Sequence, residues 1–481
     1  MPSGTLGDSD DMKRGGVLLV CRMKFTHDLT RVLERNAIPS WRDSEEVKLL
    51  PIPAHLFVSD AHICNQIESI ATEFGDVHFH VYVHDVESAP SRFADPSGQD
   101  RWEIRFSGKA SLPVMEQKLH VSLQDLKLDW LSDVENRLRV YVRREVNRER
   151  IANWLGQFNQ LKHRWVGERL LQALDMWPGH RLKDALRITR DGLLGFHHIC
   201  GNPELGKNYD FLRPLVKNEL DALRNDNPQS SLPEIAEIHE AIAVGTDNNI
   251  LYVEDGLLTG TEMESVLRAL LGKCKPGRKP KTEPLSDPTL LSRKRIQFRF
   301  AVTSNFGCFM LNRFLDAVGL TNCEVSFEYD NQIHVLTDTG MEALENGTFW
   351  VGTDPVDGSS SPTRHISRPD LYISTPAFQN MTIWRDHAQQ RAAIDFCRSI
   401  GGQLFKHYHD RKVEMKEWAP WDQRRISECS LGMRGFGLAL AYAHSVPKSS
   451  IPLFWQSGSV TYRNKNVKRK IEWQPLFPNV T

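Results

Sequence analysis

"ILYVEDGLLTGTE", Ile250 to Glu262, decides how the rest of this chain is read. Four apolar residues lead into two adjacent carboxylates, Glu254 and Asp255. Gly256, Leu257 and Leu258 follow, then a Thr259-Gly260-Thr261 turn. A run that is apolar at every position fits a strand buried on both faces, as a parallel α/β sheet requires. Ligands of such sheets sit beyond the carboxyl ends of the strands. The spacing therefore predicts Glu254 and Asp255 at a strand end, and a helix starting near Glu262. A helix start preceded by a Gly/Thr turn offers free N–H groups and hydroxyls, which suit a phosphate. Carboxylates beside it suit ribose hydroxyls, or a Mg²⁺ ion held through water. The same letters also fit a plain strand, a tight turn and a helix capped by Thr259 or Thr261.

Around this stretch, strands and helices alternate. "GFHHIC", "NNILYVED" and "RIQFRFAVTS" read as strands; "LRPLVKNELDALR", "EMESVLRALLG" and "CFMLNRFLDAVGL" read as helices. Between them, residues 273–295 carry four prolines and eight Lys/Arg, which predicts a basic, mobile insertion. Upstream, Ile151, Trp154, Leu155, Phe158, Leu161, Trp165 and Val166 recur at helical spacing and predict a long helical region. Further upstream, "GGVLLVCRMKF", "HLFVSD" and "VHFHVYVHD" read as strands separated by the helices "HDLTRVLERN" and "AHICNQIESIATEF". That alternation predicts a small α/β domain. After a loop at 88–100, "WEIRFSG" and "RLRVYVRRE" add two candidate strands, and a boundary falls near residue 145. The fold class is α/β: an N-terminal α/β domain over 1–145, then a larger region over 146–481 with a mainly parallel sheet flanked by helices.

The bulk properties narrow the function class. A chain of 481 residues is too long for one small core. A net charge of −1 gives no global field for nucleic acid or acidic membranes. No apolar run approaches the roughly 18 residues of a membrane span. Met1–Gly16 is polar and lacks the apolar core of a secretory signal. Eight scattered cysteines form no CxxC, which fits reduced thiols. These features predict a cytoplasmic protein with no membrane partner.

A second loop, "GNPELGKN" at 201–208, nearly fits the G-x-x-x-x-G-K-[ST] phosphate loop. Asn208 stands where that motif needs a hydroxyl for Mg²⁺. With Asp255 as the acidic residue of the next strand, the pair would make a P-loop-type ATPase. An ordinary Gly-rich loop with a surface lysine is the plainer reading.

The opening stretch resembles the ribose-phosphate element of phosphoribosyltransferases over thirteen positions. By that resemblance Glu254 and Asp255 hold the ribose hydroxyls of phosphoribosyl pyrophosphate (PRPP), and Gly256, Leu257, Leu258, Thr259, Gly260 and Thr261 cradle its 5′-phosphate. The earlier loop then becomes the pyrophosphate loop, with Leu205, Gly206, Lys207, Asn208 and Arg213. Lys207 supplies the cation. Mg²⁺ is the implied cofactor, with no direct protein ligand and contact through Asp255 and the pyrophosphate. Both elements should then face one cleft. A carboxylate at Glu262 departs from the Thr found in many of these enzymes.

The resemblance narrows to the PRTase-CE branch of prokaryotic conflict and anti-phage systems. "W-x-x-x-F" at Trp154–Phe158, "SVPKSSIPLFW" at Ser445–Trp455 and "EWQPLF" at Glu472–Phe477 carry it, over roughly 148–481. Gln often follows the TG-x turn in that branch. Ser449 stands where Asn is usual, and Asn479 where Arg is common. The resemblance implies a phosphoribosyltransferase-like defence effector. It would act at the anomeric carbon of PRPP or a nucleotide, with partner proteins from the same operon. A catalytically silent sensor of PRPP or nucleotides is the other outcome such folds allow.

Other features have weaker claims. His78, His80 and His84 share a strand face, with Asp60 and His62 closing the preceding strand. Either they bind a metal or they line a partly buried sheet. The basic stretches 273–295 and 463–470 could meet nucleic acid phosphates, or be solvated loops. Asp354 and Asp357 sit in a hydroxyl-rich turn at 351–363. Trp418 and Trp421 read as packing residues. No Ser-His-Asp, Cys-His or zinc-protease motif is present.

Overall fold

The computed structural model describes residues 14–36, 46–57, 59–75, 77–96, 101–109, 112–125, 130–202, 208–226, 231–244, 248–274, 280–348, 371–384, 386–464 and 467–478. The chain forms two compact units: Met1–Arg137 with Asn147–Gly156, and Leu138–Val146 with Gln157–Thr481.

The first unit is built on four parallel strands: β1 (Arg14–Arg22), β2 (Val47–Ile52), β3 (Val77–His84) and β4 (Trp102–Gly108). Their order is β2-β1-β3-β4. Strand side chains alternate between faces. Val17, Leu19, Cys21 and Tyr82 pack on one face with Leu29, Leu33, Met115 and Leu119. Leu18, Val20, Val81 and Val83 pack on the other with Ile63, Ile67 and Ala71.

Two expected strands are corrected here. "HLFVSD" is not a strand. The second strand is Val47–Ile52, at the sheet edge, where a proline is tolerated. Asp60 and His62 instead lie in the first turn of the helix Asp60–Glu73, with the Ser59 hydroxyl accepting from the His62 N–H. "RLRVYVRRE" is not a strand either. The helix Trp130–Leu138 claims its start, because Trp130, Leu131, Val134 and Leu138 form one buried stripe. Tyr141 then packs on the Phe477 ring at 4.9 Å, and the Val142 N–H donates to Ala443 O at 2.7 Å.

The long helical region is two helices, Arg148–Gln160 and Arg164–Ala173. They are separated at Lys162, whose φ is 63°. In the second unit, β5 (Asp175–Trp177) leads into a six-stranded sheet: β6 (His198–Cys200), β7 (Glu234–Ile235), β8 (Asn249–Leu257), β9 (Arg295–Ser304), β10 (Cys323–Ser326) and β11 (Gln332–Ile333). The order is β10-β9-β8-β6-β7, with β11 also on β9, and every pairing is parallel. Leu251 and Val253 of β8 pack with Leu212, Val216, Leu220 and Tyr442 on one face. Ile250 and Tyr252 pack with Ile238, Met263, Val266 and Phe298 on the other. This is the α/β architecture the alternation predicted, a parallel sheet with helices on both faces.

β12 (Leu440–Tyr442) pairs with β5, and β13 (Gly458–Asn464) with β14 (Val467–Trp473) as an antiparallel hairpin. The described residues of the basic stretch 463–470 therefore lie on the two strands of a hairpin. The tail words form core: Leu453, Phe454, Trp473, Leu476 and Phe477 are fully buried, and Trp473 meets Phe158 edge-on at 4.9 Å. The described part of the basic insertion is also packed, since Leu285 and Leu291 join the core. Lys294 is 1% exposed, and its ammonium donates to Val244 O at 2.8 Å. Trp418 and Trp421 stack at 4.7 Å. Asp354 and Asp357 lie outside the described residues. All eight cysteines are free thiols, and burial pushes Cys21 up to about 12. Among the described residues no helix is long and apolar enough to cross a membrane.

Candidate functional site

Glu254 and Asp255 stand inside β8, not at its end. The strand runs two residues further, to Leu257. An apolar residue after Gly256 keeps the ladder to β9 intact, with Gly256 paired to Val302 and Leu257 to Thr303. Strand alternation sends the two carboxylates to opposite faces of the sheet. Both are buried: Glu254 is 4% exposed and Asp255 1%.

The Asp255 carboxylate meets a residue that sequence reading missed. Its Oδ2 lies 2.9 Å from His444 Nε2. The His444 ring stacks with Phe211 at 4.5 Å and with Tyr442 at 5.9 Å. Arg143 Nε donates to His444 O at 2.9 Å and fixes this turn. His444 Nδ1 and Tyr442 Oη are buried without a hydrogen-bond partner among the described residues. Burial first, then the charges of Asp255 and Glu254, holds the Tyr442 phenol protonated well above its ordinary range. No local motif marks His444 or Tyr442. The one sequence trace is Gly256: a Cβ there would lie 2.3 Å from Tyr442 Oη, so only glycine admits that ring.

The turn after β8 is held from below. Ser304 Oγ donates to Leu258 O at 2.6 Å and accepts from the Gly307 N–H at 2.8 Å. The following helix is Thr261–Leu270, one residue earlier than expected. Its N-cap is Gly260, with φ 69° and no side-chain cap, which corrects the expectation of Thr259 or Thr261 as cap. Glycine takes this left-handed conformation without the strain a Cβ brings. First-turn N–H groups without a side-chain acceptor, at the positive end of the helix dipole, are the features that suit an anion. Thr259 and Thr261 flank them, half-buried.

Glu262, the residue that least suits an anion site, is tied down. Its Oε1 accepts from Asn202 Nδ2 at 3.0 Å and pairs with Lys281 Nζ at 3.1 Å. Lys281 comes from the basic insertion and offsets the carboxylate charge. Asn202 lies two residues past the end of β6, so the start of the 201–208 loop contacts the start of the Thr-Gly-Thr helix. Leu205, Gly206 and Lys207 lie outside the described residues. Asn208 opens the helix Asn208–Asp226. Arg213 is exposed on that helix. Its charge acts on Glu237, whose carboxyl burial pushes up.

Carboxylate oxygens are hard donors that suit Mg²⁺ by chemistry. Both acids are buried, and Asp255 is committed to His444.

A family model described as PRTase-CE matches residues 151–479. No curated protein and no solved structure matches the chain.

Proposed function

The chain belongs to the PRTase-CE family, and from that premise we propose that its second unit binds the ribose 5-phosphate part of PRPP or a nucleotide at the end of β8. The observation that carries this reading is the Thr259-Gly260-Thr261 turn. It opens a helix with no side-chain cap, next to two buried carboxylates. In this reading the first-turn N–H groups and the two hydroxyls take the 5′-phosphate. Glu254 and Asp255 leave the strand on opposite faces, so one carboxylate accepts from a ribose hydroxyl while the other contributes its charge. Their buried charge also favours positive charge developing at the anomeric carbon, where low dielectric strengthens the interaction.

His444 is a positioning residue: it fixes the Asp255 carboxylate. Lys207 is proposed to meet the pyrophosphate or other leaving group. Mg²⁺ would arrive with the substrate and neutralise phosphate charge. The reaction is transfer to an acceptor, or hydrolysis, at the anomeric carbon. A role as a defence effector follows from family context and belongs to the same proposal.

The test is pyrophosphate or base release by the full-length protein, with Mg²⁺ and either PRPP or a panel of nucleotides. We expect release that Asp255→Asn abolishes while the fold is retained by circular dichroism. Binding without release would make the unit a sensor. ATP hydrolysis that Lys207→Ala abolishes, with PRPP ignored, would overturn the reading in favour of a phosphate-loop ATPase.

A further inference from the structure

We propose that His78, His80 and Glu103 of the first unit form a binding site for a divalent transition ion of the zinc class. This rests on the first unit alone and is independent of the reading of β8. β3 and β4 run parallel with His80 paired to Glu103. His78 lies two residues before His80, so strand alternation puts all three on one face. One candidate ligand atom from each residue lies within 4.8 Å of the others. Tetrahedral zinc bonds of about 2.0–2.2 Å put ligand atoms roughly 3.3–3.6 Å apart, so side-chain rotations that draw the three together complete the set.

The surroundings are those of a built site. His80 is 6% exposed, and its Nδ1 hydrogen-bonds with Ser122 Oγ at 3.0 Å. Ser122 Oγ in turn lies 2.6 Å from Tyr82 Oη. A hydrogen bond at Nδ1 fixes the ring and makes Nε2 the candidate ligand atom, the usual outer-shell device of metal-bound histidine. Nε2 is also the atom that faces the carboxylate side. Arg105 Nη2 lies 3.5 Å from it and 2.8 Å from Glu103 Oε2. A guanidinium thus stands in the cation position between imidazole and carboxylate. Its side chain is 41% exposed and that of Glu103 49%. An exposed pair of this kind holds weakly, so an incoming ion can displace the arginine.

Two imidazoles and one carboxylate suit zinc and its neighbours over Mg²⁺ or Ca²⁺. Three protein ligands leave a position for water or a substrate. His84, on the same strand, is not part of the set; it packs edge-on against Phe25 at 4.7 Å.

The full-length protein, stripped of metal by a chelator, is titrated with Zn²⁺ against a chromophoric competitor. Cobalt substitution then reports the ligand geometry from its visible spectrum. We expect one ion per chain. His78→Asn and Glu103→Gln should each weaken binding about tenfold or more, on the scale set by lost metal-site groups. Arg105→Ala should tighten it, because the competing cation is gone. All three residues are partly exposed, and circular dichroism checks their folding. Absence of Zn²⁺ binding, or equal affinity in wild type, His78→Asn and Glu103→Gln, would overturn the proposal. So would weaker binding in Arg105→Ala.

Discussion

Asp255 Oδ2 and His444 Nε2 lie 2.9 Å apart, with side chains 2% and 1% exposed, although 189 residues separate them in the chain. A buried pair of this kind is costly to break from one side, because the remaining group is left unpaired away from water. His444→Ala should therefore lower stability by about 3–5 kcal/mol. Asp255→Asn keeps an oxygen acceptor for the Nε2 proton and should cost less, on the order of 1 kcal/mol. Urea unfolding midpoints measure both. Equal, small losses would mean that the pair contributes little to holding β12 against β8.

Gly256 and Tyr442 make a second coupled pair. Gly256→Ala would push a methyl group to 2.3 Å from Tyr442 Oη. Overpacking of this sort costs about 1–3 kcal/mol. Tyr442→Phe removes the clashing oxygen and should recover part of the loss. A double-mutant cycle tests this; simple additivity would show that the backbone shifts instead.

Stability should fall on the acid side. Burial lowers the His84 and His198 pKa values, so both resist protonation more in the folded protein than in the unfolded chain. In the unfolded chain they take up protons near pH 6.5. Their contribution is complete above that pH and is lost as pH falls toward the folded values. Thermal midpoints from pH 8 to pH 5 should decline, and His84→Leu should flatten the acid branch. An unchanged acid branch in that variant would remove His84 from the account.

Glu262→Gln bears on the anion site. It removes a carboxylate from the first helical turn and with it the charge that Lys281 Nζ meets at 3.1 Å. Both changes favour an anion, by roughly two- to fivefold in affinity for ribose 5-phosphate. Calorimetric titration measures the change. Weaker binding would show that the Asn202–Glu262 hydrogen bond positions the site.

Sequence carried much of this, unevenly. β8 was legible because every residue from Ile250 to Val253 is apolar, the mark of a strand buried on both faces. Where it ends was not, since Glu254 and Asp255 look like an exit from the core. They remain inside because His444 meets Asp255, and that contact has no local sequence signal. β2 was hidden by Pro51 and Pro53, which an edge strand tolerates. Asn202 and Lys281 gave no hint of meeting Glu262, because sheet order, not chain order, brings β6 beside β8. The glycines were better guides: Gly260 takes the left-handed cap, and Gly256 makes room for Tyr442.

The central claim is that Thr259, Gly260 and Thr261 cradle a ribose 5′-phosphate, and equilibrium binding of PRPP tests it most directly. The wild-type chain should bind PRPP with Mg²⁺, and Thr259→Val with Thr261→Val should weaken binding roughly ten- to a hundredfold, the scale of a lost hydrogen bond to a charged group. Equal affinity in wild type and double variant, or no binding of any ribose 5-phosphate compound by the wild type, would contradict the account.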